Sequence, residues 1–403
     1  MFFTQEKILS AAKEREVIFW GCSEDWVPKS KKLLGSVTRI VDIHHQTIKS
    51  PWMGLEVFST EILDRMSSKY FVVITTGSVD SVTEMLNNYG FTPEKDFCYS
   101  PVFEDFSAAT RLTKYSSKLI FTSSDYGAKD GNRGSLLGGG IYQLVFSENE
   151  CTVDKLVSGS YRQAQFDGNK LYSVDYVKNE LHVFGEDFKL QKALKLNLRH
   201  YTGLSVSENR IFLISSAEDV IQIYCKKGFT LLDVIPFSDK SYSGEGLHHL
   251  NDCFYSDGYL YFTYFSKSGI WRKEIFDGGL SYLDVENKNI YDVKSDLFQP
   301  HSPKIINNQL HFCESTKGYV FSSSWNRIAK VPGFVRGICY DNGYYAFGMS
   351  ETLYMKRAKN IPNVMMNTGI FVMDEISGAM RFCPTPGIKN IHSVLSLTSS
   401  GGS

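Results

Sequence analysis

Hydrophobic and polar positions follow two different rhythms along the chain. Over the first hundred residues, short apolar runs alternate with helical periodicity. Glu16–Gly21, Ser36–Asp42 and Tyr70–Gly77 read as buried strands of a parallel sheet. Thr60–Met66 carries apolar residues at helical spacing, and Val79, Val82, Met85 and Leu86 fall on one face of a helix over 78–89. Strand, helix, strand, helix in this order predicts a small α/β domain with right-handed crossovers.

From about Phe106 the helical rhythm stops. One phrase then recurs: a strand, a polar turn, and a strongly apolar strand. Gln165–Val174, Leu204–Leu213, Cys253–Phe262, Lys304–Phe312 and Ile338–Phe347 carry it, and Leu112–Phe121 is a weaker copy. Their Asp-Gly, Asn-Gly and Asn-Asn turns supply the positive φ of a tight hairpin. An all-β period of roughly 40–50 residues predicts a propeller. Six phrases predict six blades, with seven as the alternative. The stretches 127–134 and 349–367 read as blade insertions, and Asn390–Leu397 as a closing strand. The expected organisation is therefore multidomain, α/β plus all-β: residues 1–104, a propeller over 105–398, and a linker-like tail over 399–403.

Composition narrows the partners. The 403 residues carry 43 Lys and Arg against 44 Asp and Glu, a formal net charge of -1. That balance argues against nucleic acid as the main partner. No apolar run approaches the roughly 20 residues of a membrane helix, and Glu6 and Lys7 interrupt the place of a secretory signal. The eight cysteines are scattered without a C-x-x-C pair. They read as reduced thiols of a cytoplasmic protein.

The first strand-to-helix turn, Gly21–Trp26, lacks G-x-G-x-x-G and carries Glu24 and Asp25, so a nucleotide cofactor is not expected there. Ser23, Asp42 and Thr76–Gly77 would line such a crevice. The phrases Arg39–Asp42, Trp52–Val57, Tyr70–Gly77 and Leu86–Phe97 resemble the small Rossmann-like domain attached to many bacterial sugar-modifying and glycan-biosynthesis proteins. The resemblance covers roughly residues 15–100.

In a propeller the first strand of each blade lines a central channel, so aligned residues ring one axis. Counting back from the turns, His200 and His249 align, His301 lies two residues beyond, and His392 precedes the closing strand. Arg336 aligns with Asn251. Three readings stay open. His200, His249, His301 and His392 can converge on a divalent transition metal such as manganese, iron, nickel or zinc. Alternatively His249, His301, Asn251 and Arg336 form a catalytic polar site for an anionic substrate, one histidine acting as general base. In the third, the histidines only hydrogen-bond neighbouring blades. Glu314 and Glu351 follow second strands and can pair with Arg336 or ligate a metal.

The motifs His249-Leu-Asn-Asp252, His301-Ser-Pro303, Val331–Gly337 and Gly348–Glu351 resemble a bacterial β-propeller family with H-L-N, H-S-P and P-G-F-x-R-G motifs. Coverage runs from about 155 to 395. The resemblance implies a propeller fold and directs attention to His249, Asn251, His301, Ser302 and Arg336, without an activity to carry over. The function expected from these readings is an enzyme of carbohydrate, nucleotide-sugar or surface-glycan metabolism (a lyase, epimerase or hydrolase) acting on a small molecule or sugar. The alternative is a protein- or glycan-binding scaffold.

Overall fold

A computed structural model describes residues 3–103, 112–113, 115–126, 134–148, 150–352 and 360–397. The chain divides into two compact units, Met1–Arg111 and Leu112–Ser403. The expected boundary at 104/105, the tail over 399–403, residues 127–133 of the first expected insertion and 353–359 of the second fall outside the described residues.

The first unit is a small α/β domain. Its strands β1 (Glu16–Trp20), β2 (Arg39–Val41), β3 (Glu56–Phe58), β4 (Tyr70–Ile74) and β5 (Phe97–Tyr99) form a sheet in the order β3-β2-β1-β4-β5. Every pairing is parallel. Strand β4 is buried along its whole length, which is why it reads as one uninterrupted apolar run. Helices α1 (Gln5–Ala12), α2 (Val27–Leu33) and α3 (Val79–Asn88) accompany the sheet. The helix expected over 60–66 is only a 3-10 turn, Thr60–Leu63. Ser59 caps it, and only Thr60 and Leu63 are buried, too little apolar surface to hold a longer helix.

The second unit is a six-bladed β-propeller, each blade a four-stranded antiparallel sheet. Five blades are simple meanders. Their innermost strands are Tyr161–Asp167, Tyr201–Val206, Leu250–Ser256, Pro300–Ile306 and Phe334–Asp341. Hairpin turns with both central residues at positive φ, such as Asp257–Gly258 and Asn342–Gly343, join them to the next strand. Apolar side chains of adjacent blades interleave; Phe212 and Ile214 of one pack with Leu260 and Phe262 of the next.

The sixth blade is assembled from both ends of the unit. Ser117–Ser123, Gly140–Phe146 and Cys151–Ser158 supply three strands, and Val394–Ser396 adds the innermost one by pairing with Leu119–Phe121. The weak phrase at 112–121 is therefore not a strand-turn-strand copy. Its inner strand comes from the other end of the unit. Closure of this kind pairs the inner edge of Ser117–Ser123. At the same seam Cys151 and Cys383 form a disulfide across a separation of 232 residues. This corrects the reading of all eight cysteines as reduced; adjacent outer strands meet in space, which spacing along the chain does not show. The other six are free thiols.

One irregularity recurs in all five meander blades. The pairing of the innermost strand with its neighbour slips near the strand's start, at Tyr161–Ala164, Tyr201–Gly203, Leu250–Cys253, His301–Lys304 and Arg336–Ile338. Bulges re-aim side chains. Repeated around a ring, they form a belt of irregular backbone across the channel.

Candidate functional site

Above this belt lies a chamber of about 830 Å³, including its open mouth. His249, Asn251, His301, Arg336 and His392 all line it, with Arg162, Gln299, Asn390 and Ser124. Phe265, Trp271 and Phe334 add aromatic wall. Of the residues singled out in the sequence, His200 is not in this lining. Its ring stacks on Tyr176 at 5.4 Å, and Tyr176 in turn lies 4.1 Å from the Arg162 guanidinium. His200 and His249 do share a left-handed backbone at the residue before their inner strands (φ 54 for both), yet only His249 has a chamber wall beside it. Phe265 and Trp271 flank its ring at 4.5 and 4.8 Å.

Each polar side chain is held from behind. Asp219, buried, accepts the N–H of His248 at 2.8 Å and that of Leu250 at 3.1 Å, fixing the loop that carries His249. Arg336 donates to His392 Nδ1 and to Asn390 Oδ1, both at 3.1 Å, and to Ser350 at 3.3 Å. Arginine can only donate, so His392 Nδ1 accepts and Nε2 carries the proton. That N–H meets Ser124 Oγ at 2.7 Å. These three acceptors orient the guanidinium. Asn390 is itself fixed by Asp125, which accepts from its side-chain amide at 2.7 Å.

His301 is buried, with Nδ1 3.1 Å from the Gln299 carbonyl and 2.8 Å from Ser315 Oγ. The carbonyl can only accept, so Nδ1 carries the proton and Nε2 the lone pair. Burial, helped by the Arg336 charge, holds its pKa well below the ordinary histidine value. The ring is neutral at physiological pH. Among the described residues the chamber thus combines two arginines, three imidazoles and a single carboxylate, the half-buried Glu351. Among the described residues no group of three or more His, Cys, Asp or Glu is placed to hold a metal ion. Glu314 is buried, pairs with Lys317 at 2.6 Å and is not in the chamber lining.

Below the belt the next residue of each motif does different work. Ser302 donates through its N–H and Oγ to Asp252 Oδ2 at 2.9 and 3.1 Å, and its Oγ accepts the Gly337 N–H at 2.8 Å. This chain stitches three blades together. Gln163 donates to the Cys253 carbonyl and accepts the N–H groups of Leu204 and Cys253, joining two more inner strands to that of Asp252. So Asn251, His301 and Arg336 face the upper chamber, while Asp252, Ser302 and Gly337 line a lower one. Burial raises the Asp252 pKa, opposed chiefly by Arg336.

Sequence reasoning missed Arg162. It is the second residue of its inner strand, as Asn251 and His301 are of theirs. Counting from strand starts finds it; counting back from the turns crosses the bulge and loses the register.

In the first unit, residues named for a nucleotide crevice are engaged by their local neighbours. Asp42 accepts the N–H groups of Cys22 and His44, both at 2.8 Å. Burial and then Asp42 push the Cys22 thiol up to about 12. The Trp26 ring lies against Gly77, within 2.9 Å of where a Cβ would stand.

Residues 236–382 match the profile of a domain of unknown function, DUF4915. The matched stretch contains His249, Asn251, His301 and Arg336, and stops short of His392. No curated protein matches the chain. Among solved structures, it is similar to one in a nidogen/laminin complex (11% identity, 70% of this chain and 97% of that one, TM-score 0.48). It is also similar to a luciferin-regenerating enzyme (15% identity, 58% and 78%, TM-score 0.42). A third is regucalcin from Agrobacterium tumefaciens, described as a calcium-binding protein (11% identity, 56% and 74%, TM-score 0.40).

Proposed function

We propose that the upper chamber binds an anionic small molecule, a sugar acid or sugar phosphate, without a metal. The observation that carries this is the convergence of Arg162 and Arg336 on one chamber with, among the described residues, a single lining carboxylate. Guanidinium groups suit carboxylate and phosphate, which accept from their planar fork. The aromatic wall of Phe265, Trp271 and Phe334 suits the apolar face of a sugar ring. A cation is the less favoured occupant. It would share the chamber with Arg336, whose guanidinium already occupies His392 Nδ1.

In this reading Arg162 and Arg336 hold the anion, Asn251 orients a hydroxyl, and the His301 Nε2 lone pair accepts a hydrogen bond. His249 lies close enough for its charge to influence His301. Arginines on a carboxylate stabilise the charge that grows when a neighbouring C–H proton leaves for an imidazole. Lyase or epimerase chemistry follows from that arrangement more directly than hydrolysis. The imidazole nitrogens already committed to the protein, His392 Nδ1 and His301 Nδ1, support the second reading, a propeller that binds the anion without transforming it.

Calorimetric titration with glucuronate, glucose 6-phosphate and glucose tests the proposal, alongside metal analysis of the purified protein. Binding of an anion but not of glucose, weakened at least about tenfold in Arg162→Gln (about 1.4 kcal/mol), supports it. Equal binding of glucose, or one equivalent of tightly held metal, overturns it. Proton exchange from the bound sugar acid into deuterated water separates catalysis from binding.

A further inference from the structure

The lower chamber, of about 420 Å³, is lined by Gln163, Gln165, Asp252, Ser302 and Lys304. Four of these side chains are tied into the stitching between blades. Gln165, for example, donates to the Val206 carbonyl at 2.9 Å and accepts from Val206 N–H and Ser205 Oγ at the same distance. Lys304 occupies the corresponding place in its own blade, two residues before the hairpin turn. It makes the same kind of stitch, donating to the Ile338 carbonyl at 3.2 Å. A neutral amide is enough for that bond at Gln165. An amine has three donors, and one carbonyl satisfies one of them. Lys304 lines this chamber and is half-buried as a residue, with its amine drawn into the channel wall by the Ile338 carbonyl. Burial also lowers its pKa from the ordinary lysine value, which favours the uncharged, nucleophilic amine.

We propose that Lys304 is a carbonyl-reactive amine, and that the lower chamber takes an aldehyde or ketone such as an open-chain sugar. The amine lone pair attacks the carbonyl carbon, and a proton passes from nitrogen to the alkoxide oxygen. The carbinolamine then expels water to leave a C=N bond, so no oxidant or reductant is consumed. The site is separate from the upper chamber and stands or falls independently of the anion proposal.

Reductive trapping tests it. The intact protein is treated at pH 7 with glycolaldehyde and cyanoborohydride, and modified lysines are mapped by peptide mass spectrometry over time. Lys304 is expected to be modified at least about tenfold faster than exposed lysines, because burial favours its neutral amine. Lys304→Gln, which keeps the stitch as Gln165 does, is expected to fold and to lose this fast phase. Modification of Lys304 at or below the rate of exposed lysines overturns the proposal, as does a fast phase surviving in folded Lys304→Gln. If that variant fails to fold, the wild-type time course decides alone.

Discussion

The two chambers of the channel are built from the same inner strands, one residue apart, and they use polar side chains in opposite ways. Above the bulges, Arg162, His301 and Arg336 line the open chamber, with His301 and Arg336 anchored by neighbouring side chains. Below them, Gln163, Gln165, Asp252 and Ser302 are tied to backbone across the blade interfaces. A buried polar residue near a propeller axis is therefore no sign of a ligand by itself. What distinguishes the upper level is the convergence of charged and aromatic side chains on one open chamber.

Four substitutions probe that contrast. Arg336→Ala should cost most, about 3–5 kcal/mol in urea unfolding, because Arg336 serves both levels. Its loss strips His392 and Asn390 of a donor and leaves buried Asp252 without its main opposing charge. A near-neutral result would mean the guanidinium faces the chamber without supporting it. Ser302→Ala should cost about 2–3 kcal/mol through the broken Asp252–Ser302–Gly337 stitch, while calorimetric anion affinity stays unchanged. An affinity loss without destabilisation would reverse the roles of the two levels.

His301→Asn should act through pH. The folded pKa of His301 is depressed, so the unfolded chain binds the proton first on acidification. Stability is full above the unfolded value near pH 6.5 and falls below it, by up to about 1.4 kcal/mol per pH unit. His311 contributes in the same direction. Urea unfolding at pH 7, 6 and 5 should show a shallower acid slope in the variant; an identical slope would refute a neutral buried His301. The smallest stability effect belongs to His249→Gln, within about 0.5 kcal/mol. This half-buried side chain sits at the chamber wall, so titration should show weakened sugar-acid binding in a protein of nearly wild-type stability.

Much of the architecture was legible because it rests on local pattern. The hairpin turns at Asp257–Gly258 and Asn342–Gly343 announce themselves in two residues, and β4 in one apolar run. The six blades followed from the repeat, although the weak phrase at 112–121 stood for a blade whose inner strand lies at 394–396. The residues of the upper chamber were legible as far as turn-counting carried through the bulges. His249, Asn251, His301 and Arg336 were named, whereas Arg162 was lost to a one-residue slip. The separation of His200 from the lining was not legible, since its place depends on Tyr176 of another blade. The Cys151–Cys383 pair and the lower-level stitches are likewise contacts between blades, which no local spacing encodes.

The closing strand has a consequence for how the site comes into being. Asn390 and His392, which hold Arg336 in place, lie on the segment that leads into Val394–Ser396. That segment follows all five meander blades in the chain, and its partner, Ser117–Ser123, precedes them. A chain emerging from the ribosome carries an unpaired edge at 117–123 until the last segment arrives, and for that interval Arg336 lacks its two neighbours. Ring closure and completion of the upper chamber are then one event, the slow long-range step expected of such a topology.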